Sequence, residues 1–292
     1  MVSRPLDHAG RPANARVRHR VPPRRMAARA LFVLALLVML LPVVLFFYWM
    51  VLISLRPDTV NNAYPPHFLP GSLTLDNYRN VFEQNNILHD GWDSLVVAAG
   101  STAIGLLLGV PAAYSIARWR QRRLALSILI ARIIPAISYL VPWYIIFSRF
   151  QLVDTYTALI VTNVIVGLPL VTWILIGFFE DLPPELEESA RIDGCSLYGA
   201  FIRIAVPLAR PGIIAATIIS FIFSWNNFIF AVVLAGSNTR TLPLAAFKLL
   251  NFASFSFGLL TATCVLITAP IILLALVVQR YLVAGLTMGG VK

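Results

Sequence analysis

Glu188-Ser189-Ala190-Arg191-Ile192-Asp193-Gly194, followed after nine residues by Ile204-Ala205-Val206-Pro207, forms a polar island between two apolar runs long enough to cross a bilayer. Just upstream, Asp181-Leu182-Pro183-Pro184 is a helix-start signal. Its prolines stand where early N–H groups lack intrahelical partners, and Glu185, Glu187 and Glu188 face the positive end of the helix dipole. The pattern predicts a short helix running to about Ile192. Gly194 permits the positive φ that ends it, and Ser196 is placed to cap a second short helix that Pro207 stops. Helix, glycine turn and helix together make a compact polar surface suited to docking another protein.

Hydrophobic residues make up 59% of the 292 residues and charged residues 12%, with a mean hydropathy of +0.80, too apolar for a soluble chain of this length. A span needs about 20 mostly apolar residues to cross a hydrocarbon core of about 30 Å. Stretches near 29–55, 93–117, 124–148, 157–179, 212–235 and 258–283 meet that need. Each is expected to be helical, because lipid offers no partners to backbone polar groups. The expected fold is an all-α integral membrane domain of six transmembrane helices over 29–284, with the loop 181–211 outside the bilayer. A basic tail, 1–28, precedes this domain and a short polar tail, 285–292, follows it.

Cations alternate along the connections. Arg4, Arg11, Arg16, Arg18, Arg20, Arg24, Arg25 and Arg29 crowd the N-terminal tail, and Arg118, Arg120, Arg122 and Arg123 the second-to-third connection. Only Arg56 and Arg79 fall in 56–92, Arg149 in the next outer connection, and Arg240 and Lys248 in the last. The positive-inside rule then places both termini and the 181–211 loop on the cytoplasmic side of the membrane. The net charge of +10 is thus a topological signal, with attraction to the membrane surface as its effect, and not the mark of a nucleic-acid arm. Residues 1–25, rich in Arg and Pro, are expected to be disordered, and 29–55 is too long for a secretory signal core. Cys195 and Cys264 fall at different depths, so no disulfide framework is expected.

Within the outer connection, Leu75–Phe82 has apolar residues at helical spacing and Thr74 or Asp76 as a cap, predicting a short amphipathic helix on the outer surface. Gly105 and Gly109 give the second span a small-residue face for close helix packing. Pro111, Pro135, Pro142 and Pro169 lie inside spans, where each frees a carbonyl and invites a kink. Arg132 is a cation placed inside the third span, so it is expected to face water, the bundle interior or a partner subunit, or to reach back to the inner interface. Phe223-Ser224-Trp225-Asn226-Asn227-Phe228 in the fifth span joins two amides to aromatic rings, a combination that holds sugar rings or bonds across to a neighbouring helix. Trp225, Asn226, Asn227 and Arg132 are accordingly the candidates for a solute pathway.

The spacing of the polar island resembles the EAA loop of ABC-transporter permease subunits: Glu-Ala-Ala, three residues, Gly, nine residues, then Ile-x-Leu-Pro. Ser189 replaces Ala and Val206 replaces Leu, both small changes. Asp76-Asn77-Tyr78 resembles the Asn-Tyr stretch after the first span of sugar-type permeases. Trp225-Asn226-Asn227-Phe228 resembles their Trp-Asn-x-Phe signature, with Asn227 where an acid is common. The ending Gln279–Lys292 resembles that of the second permease of maltose-type transporters.

The resemblance, which covers about 29–292, implies a type I ABC importer permease fold. Glu188, Ser189, Ala190, Asp193, Gly194, Ile204 and Pro207 then belong to a coupling helix seated in a groove of a separate ATPase subunit, and Gly289, Gly290 and Lys292 reach the ATPase dimer interface. Further implied partners are a second permease in a heterodimer, two ATPase subunits that bind ATP and Mg, and an extracytoplasmic solute-binding protein that docks on outer loops including 236–257. A sugar or oligosaccharide is the implied cargo, with glycerol-3-phosphate, a glycerophosphodiester or another small polar solute as the alternative.

The sequence has no phosphate-binding Gly-x-x-x-x-Gly-Lys-Ser/Thr loop, no His/Cys/Glu cluster at metal-ligand spacing, and no nucleophile, base and orienter set. No cofactor is expected in this chain, and no catalytic residue of its own. A secondary transporter working without ATP is the competing class, but the sequence shows no clear inverted repeat and no acid well inside a span.

Overall fold

The computed structural model describes residues 23–66, 68–84, 86–250 and 255–288, which are almost wholly helical. Contacts divide the chain into two units, 1–48 and 49–292. The described part of the first belongs to α1 (Pro23–Ser54), whose stretch Leu31–Ser54 is long and apolar enough to cross a membrane. In the second unit follow α2 (Asp76–Gln84), α3 (Ile87–Arg118), α4 (Arg122–Ala131), α5 (Leu140–Arg149), α6 (Tyr156–Glu180), α7 (Glu185–Ile192), α8 (Leu197–Leu208), α9 (Arg210–Trp225), α10 (Ile229–Leu234), α11 (Leu242–Lys248) and α12 (Phe257–Met288).

Helices α3 and α6 pack along most of their lengths and form the centre of this unit, with α9 against both and α12 against α9 and α2. Gly109 makes the approach possible: a Cβ there would lie 2.9 Å from Val171 Cγ1. Three apolar clusters fill the bundle, two of them side by side around the first half of α3. Val81, Ile87, Ala98, Trp225, Leu242 and Ala262 form one, and Val97, Phe147, Leu159, Phe230, Leu234 and Leu244 a second. Tyr114, Val171, Leu175, Phe179, Ala205 and Ala216 close the end that carries α7 and α8. The amphipathic helix expected after the first span is α2, with Val81 fully buried and the Asp76 N–H donating to Thr74 Oγ1 at 3.1 Å.

Among the described residues four helices are long and apolar enough to cross a membrane, or up to six if each of two bent pairs counts as one span. The bends correct the sequence reading. The third span is not a continuous helix over 124–148: α4 ends at Ala131, a 3-10 turn covers Ala136–Tyr139, and the two halves meet at 82°. Pro135 is the cause, since it has no N–H to donate and disfavours helical geometry in the residue before it. The fifth span breaks as well, α9 stopping at Trp225 and α10 resuming at Ile229 after two asparagines whose side chains compete for backbone groups.

Pro207 does not stop the second loop helix. A π-helical turn at Phe201–Ala205 widens the ladder immediately before the proline, and α8 continues to Leu208 before turning 74° into α9. The second span starts earlier than expected, at Ile87, and the last helix continues through Met288 into the segment read as tail.

Replacing Gly109 by Leu is expected to push α6 off α3 and cost about 1–3 kcal/mol. Thermal unfolding in mild detergent checks this by a drop of several degrees in Tm, against no change for Gly71→Ala, where a Cβ meets nothing within 4 Å.

Candidate functional site: the loop between α6 and α9

The polar island folds as helix, turn and helix. Its first helix, α7, begins after Pro183 and Pro184 with Glu185, Glu187 and Glu188 in the first turn, as its dipole favours. Gly194 takes φ +93°, and its N–H donates to Arg191 O at 3.1 Å while Cys195 N–H reaches Ala190 O at 2.9 Å. That pair of bonds is a Schellman motif, and it needs a left-handed residue at Gly194. Ser196 then caps α8, its Oγ accepting from Gly199 N at 3.0 Å.

What fixes this loop to the bundle is Glu187, which is 7% exposed although it carries a charge. Tyr114 Oη donates to Glu187 Oε2 at 2.5 Å, Arg118 Nε donates to Oε1 at 2.8 Å, and Arg118 Nη2 bonds the same oxygen. Arg118 Nη1 donates to Phe179 O and Leu182 O, both at 3.1 Å. The first of these carbonyls lies in the last turn of α6, where intrahelical donors run out and a cation is favoured, and the second just beyond the helix. One guanidinium therefore joins the last turn of α3, the end of α6 and the first turn of α7. Tyr114 is wedged against Phe179 and Phe201, with ring centroids 5.6 and 4.6 Å apart, so α8 is packed onto the same point.

Glu188, Ser189, Asp193, Gly194 and Pro207 are exposed, and Ala190 and Ile204 partly so. Ile192 at 86% and Tyr198 at 74% exposure stand beside them, so the free face mixes apolar and acidic groups. The sequence reading singled out this outward face and missed the inward anchor. Arg118 was counted only as a topogenic cation and Glu187 only as a dipole partner. Tyr114 and Arg118 one helical turn apart at the end of an apolar span were the available signal.

The fifth-span candidates divide. Trp225 is buried, its Nε1–H donating to Ile267 O at 3.1 Å and its ring stacked on Phe221, so the indole holds α9 to α12. Asn227 accepts from Phe230 N at 3.5 Å and begins α10. Asn226 is exposed, its Nδ2 bonded to Ile222 O at 2.9 Å. Arg132 is exposed at the break of the third span and lies in no ion pair with a described residue. Nothing in the structure brings Arg132 together with Asn226. Gly289, Gly290 and Lys292 lie outside the described residues.

At the far end of α3 a second set of carboxylates fastens the connection between α10 and α11. Asp154 Oδ1 accepts from Gly236 N at 2.8 Å, Thr239 N at 3.1 Å and Thr239 Oγ1 at 2.9 Å, and Oδ2 from Asn238 Nδ2 at 2.9 Å. Burial favours its neutral form, but the donors from Thr239, Asn238 and Gly236 outweigh this and hold the carboxyl below the ordinary 3.8. Arg240 Nε bonds the buried Asp90 Oδ1 at 2.8 Å, and Leu242 N donates to Ser94 Oγ at 2.7 Å. Asp90 sits in the turns of α3 that the sequence reading left outside the span, Asp93 at the first residue of that span, and Tyr156 Oη donates to Asp93 Oδ1 at 2.7 Å.

These features define a class: a membrane-spanning permease with a structured docking loop. Residues 105–288 match the family described as binding-protein-dependent transport system inner membrane component, and the chain belongs to it. It is 35% identical to the trehalose transport system permease protein SugB of Mycobacterium tuberculosis over 87% of this chain and 92% of that one. It is 34% identical to the sulfoquinovosyl glycerol transport system permease protein SmoH of Agrobacterium fabrum, over 84% and 87% of the two chains. Its fold is similar to a chain of a bacterial ABC transporter involved in the import of the acidic polysaccharide alginate, with a TM-score of 0.71, 20% identity, and 89% and 96% of the two chains covered.

Two outcomes are expected. Glu187→Ala leaves the partly buried Arg118 guanidinium without its carboxylate, a loss of up to about 3 kcal/mol, the low end for fully buried pairs, and trypsin cleavage at Arg191 in the released loop should rise sharply. The Asp154 contribution has the usual carboxylate sign: folded titration lies below unfolded, so it is complete above about pH 4 and is lost as the pH falls further. Hydrogen exchange at Gly236, Asn238 and Thr239, corrected for intrinsic rates, is expected to stay slow from neutral pH down to that point and to accelerate below it.

Proposed function

We propose that this chain is the pathway-forming permease of an ATP-driven, binding-protein-dependent importer of a sugar or oligosaccharide. The observation that carries this is the loop of α7 and α8: a surface with Ile192 and Tyr198 exposed, clamped through Glu187 and Arg118 to the ends of α3 and α6. Such a patch at the end of a membrane bundle needs a protein to cover it. An ATPase subunit fits, because force applied to α7 passes into the two central helices without an intervening flexible segment. Glu188, Ser189, Ala190, Asp193, Gly194, Ile204 and Pro207 are the coupling residues on this reading. ATP and Mg belong to two copies of the ATPase, and a second permease completes the membrane unit.

Energetically, the ATPase drives transport only by contacting two membrane conformations with different free energies. The arginine bias of the N-terminal tail and the α3–α4 connection supports a cytoplasmic location for both termini and the α7–α8 loop. The Asp154-fastened connection and α11 then face outward, where a solute-binding protein docks, and Gly289, Gly290 and Lys292 follow α12 toward the ATPase. Sugar as cargo is supported by the trehalose and sulfoquinovosyl glycerol permeases among its relatives. Asn226 and Arg132 are the exposed polar groups of the spans that fit a solute pathway, and the cation at Arg132 favours a phosphate-bearing solute such as glycerol-3-phosphate as the second reading.

The test is purification of the tagged chain from native membranes, with mass spectrometry of the proteins and small molecules that accompany it. An ATPase, a second permease and a sugar-loaded binding protein are expected, and purification alone would sink the assignment. Glu188→Lys and Gly194→Pro are expected to insert normally yet lower ATPase attachment or stimulation at least tenfold, since proline cannot adopt the φ of +93° at Gly194.

A further inference from the structure

Beside the coupling loop, and independent of it, a groove of about 360 Å³ opens between α4 and α6, lined by Arg122, Leu126, Trp173, Ile176, Gly177 and Glu180. It is a gap in the bundle surface: a Cβ on Gly177 would meet nothing within 4 Å, and Trp173 is 40% exposed. The groove has two chemically different ends. Arg122 and Glu180 stand at its mouth, where α4 begins and α6 ends, and seven residues before Glu180, about 10 Å along the helix, Trp173 lies at its apolar floor.

That length matches the step from membrane surface to hydrocarbon, and tryptophan is favoured at this depth. The mouth is strongly cationic. Arg120 and Arg123 flank Arg122 in the α3–α4 turn, all three are exposed, and neither Arg122 nor Arg123 is in an ion pair with a described residue. Three guanidinium groups against the two carboxylates of Glu180 and its exposed neighbour Asp181 leave the mouth net positive.

We infer that this groove is a binding site for an anionic phospholipid, with the phosphate on Arg122, hydroxyl groups of a glycerol headgroup donating to Glu180, and one acyl chain laid over Gly177 and Trp173. Basic pockets between membrane helices are the usual receptors for such headgroups, because arginine forms paired bonds to phosphate while the helix faces hold the chain. Glu180 adds selectivity: it repels a bare phosphate and welcomes a headgroup with donors. The lipid fills a seam beside the end of α6 that Arg118 caps.

The experiment uses the intact complex as purified, reconstituted in phosphatidylcholine vesicles containing a minority of phosphatidylglycerol. Either the phosphatidylcholine or the phosphatidylglycerol carries brominated chains, which quench nearby tryptophan. The Trp173 signal is the difference between the parent and Trp173→Phe. Brominated phosphatidylglycerol is expected to quench that signal about fivefold more, mole for mole, than brominated phosphatidylcholine, the factor corresponding to the attraction of about one arginine for an anionic lipid. Arg122→Gln with Arg123→Gln is expected to remove the preference while leaving quenching by phosphatidylcholine unchanged. Equal quenching by the two lipids in the parent overturns the site, since the groove then takes any lipid. Absence of quenching by either also overturns it, since a protein surface then covers Trp173.

Discussion

Everything at the loop end of the bundle depends on keeping one carboxylate, Glu187, charged and out of water. A buried carboxylate survives only if its oxygens are fully bonded, and Tyr114 and Arg118 supply those bonds from a helix more than sixty residues away in sequence. The same guanidinium finishes its own hydrogen bonding on Phe179 O in the last turn of α6 and Leu182 O just after it. Because each group needs the others, α3, α6 and α7 cannot shift independently without stranding a charge. The loop is thereby made a rigid extension of the central helices.

The opposite end is organised by the same logic with different chemistry. Asp154 gathers donors that the irregular segment Gly236–Thr239 cannot satisfy itself, and the Asp90–Arg240 pair fastens the next residue to the start of α3. Helix α3, 32 residues and about 48 Å long at 1.5 Å per residue, thus has ionic fastenings at both ends and a glycine-mediated contact with α6 between them. A displacement at one end has a stiff element along which to reach the other.

Sequence reasoning recovered the features that rest on local rules. The helix starts at Pro183-Pro184, the glycine turn, the Ser196 cap and the amphipathic α2 all follow from the residues at the spot, and the apolar runs follow from what lipid permits. It failed where two distant segments decide the outcome. Neither the Tyr114–Arg118–Glu187 cluster nor the Asp154 clasp can be seen from one segment, since a charge near a helix end looks the same whether it is solvated or paired. Trp225 shows the converse: its neighbours Asn226 and Asn227 suggested a ligand platform, but its indole N–H is taken by Ile267 O on another helix. Length and hydropathy also hid the two breaks, because a proline or a pair of asparagines barely changes the apolar average of a span.

The break at Arg132–Pro135 bears on how such a chain comes to be assembled. The N–H groups of Arg132 and Ile133 still reach Leu129 O and Ile130 O, but the ladder then lapses until Ser138 N–H bonds Pro135 O, and the backbone groups between lie without helical partners at the surface of this unit. Hydrocarbon cannot satisfy them, whereas water in a cavity or a second protein can. Where this break meets hydrocarbon, an isolated copy is therefore costlier to hold in a bilayer than one whose break is wetted or covered.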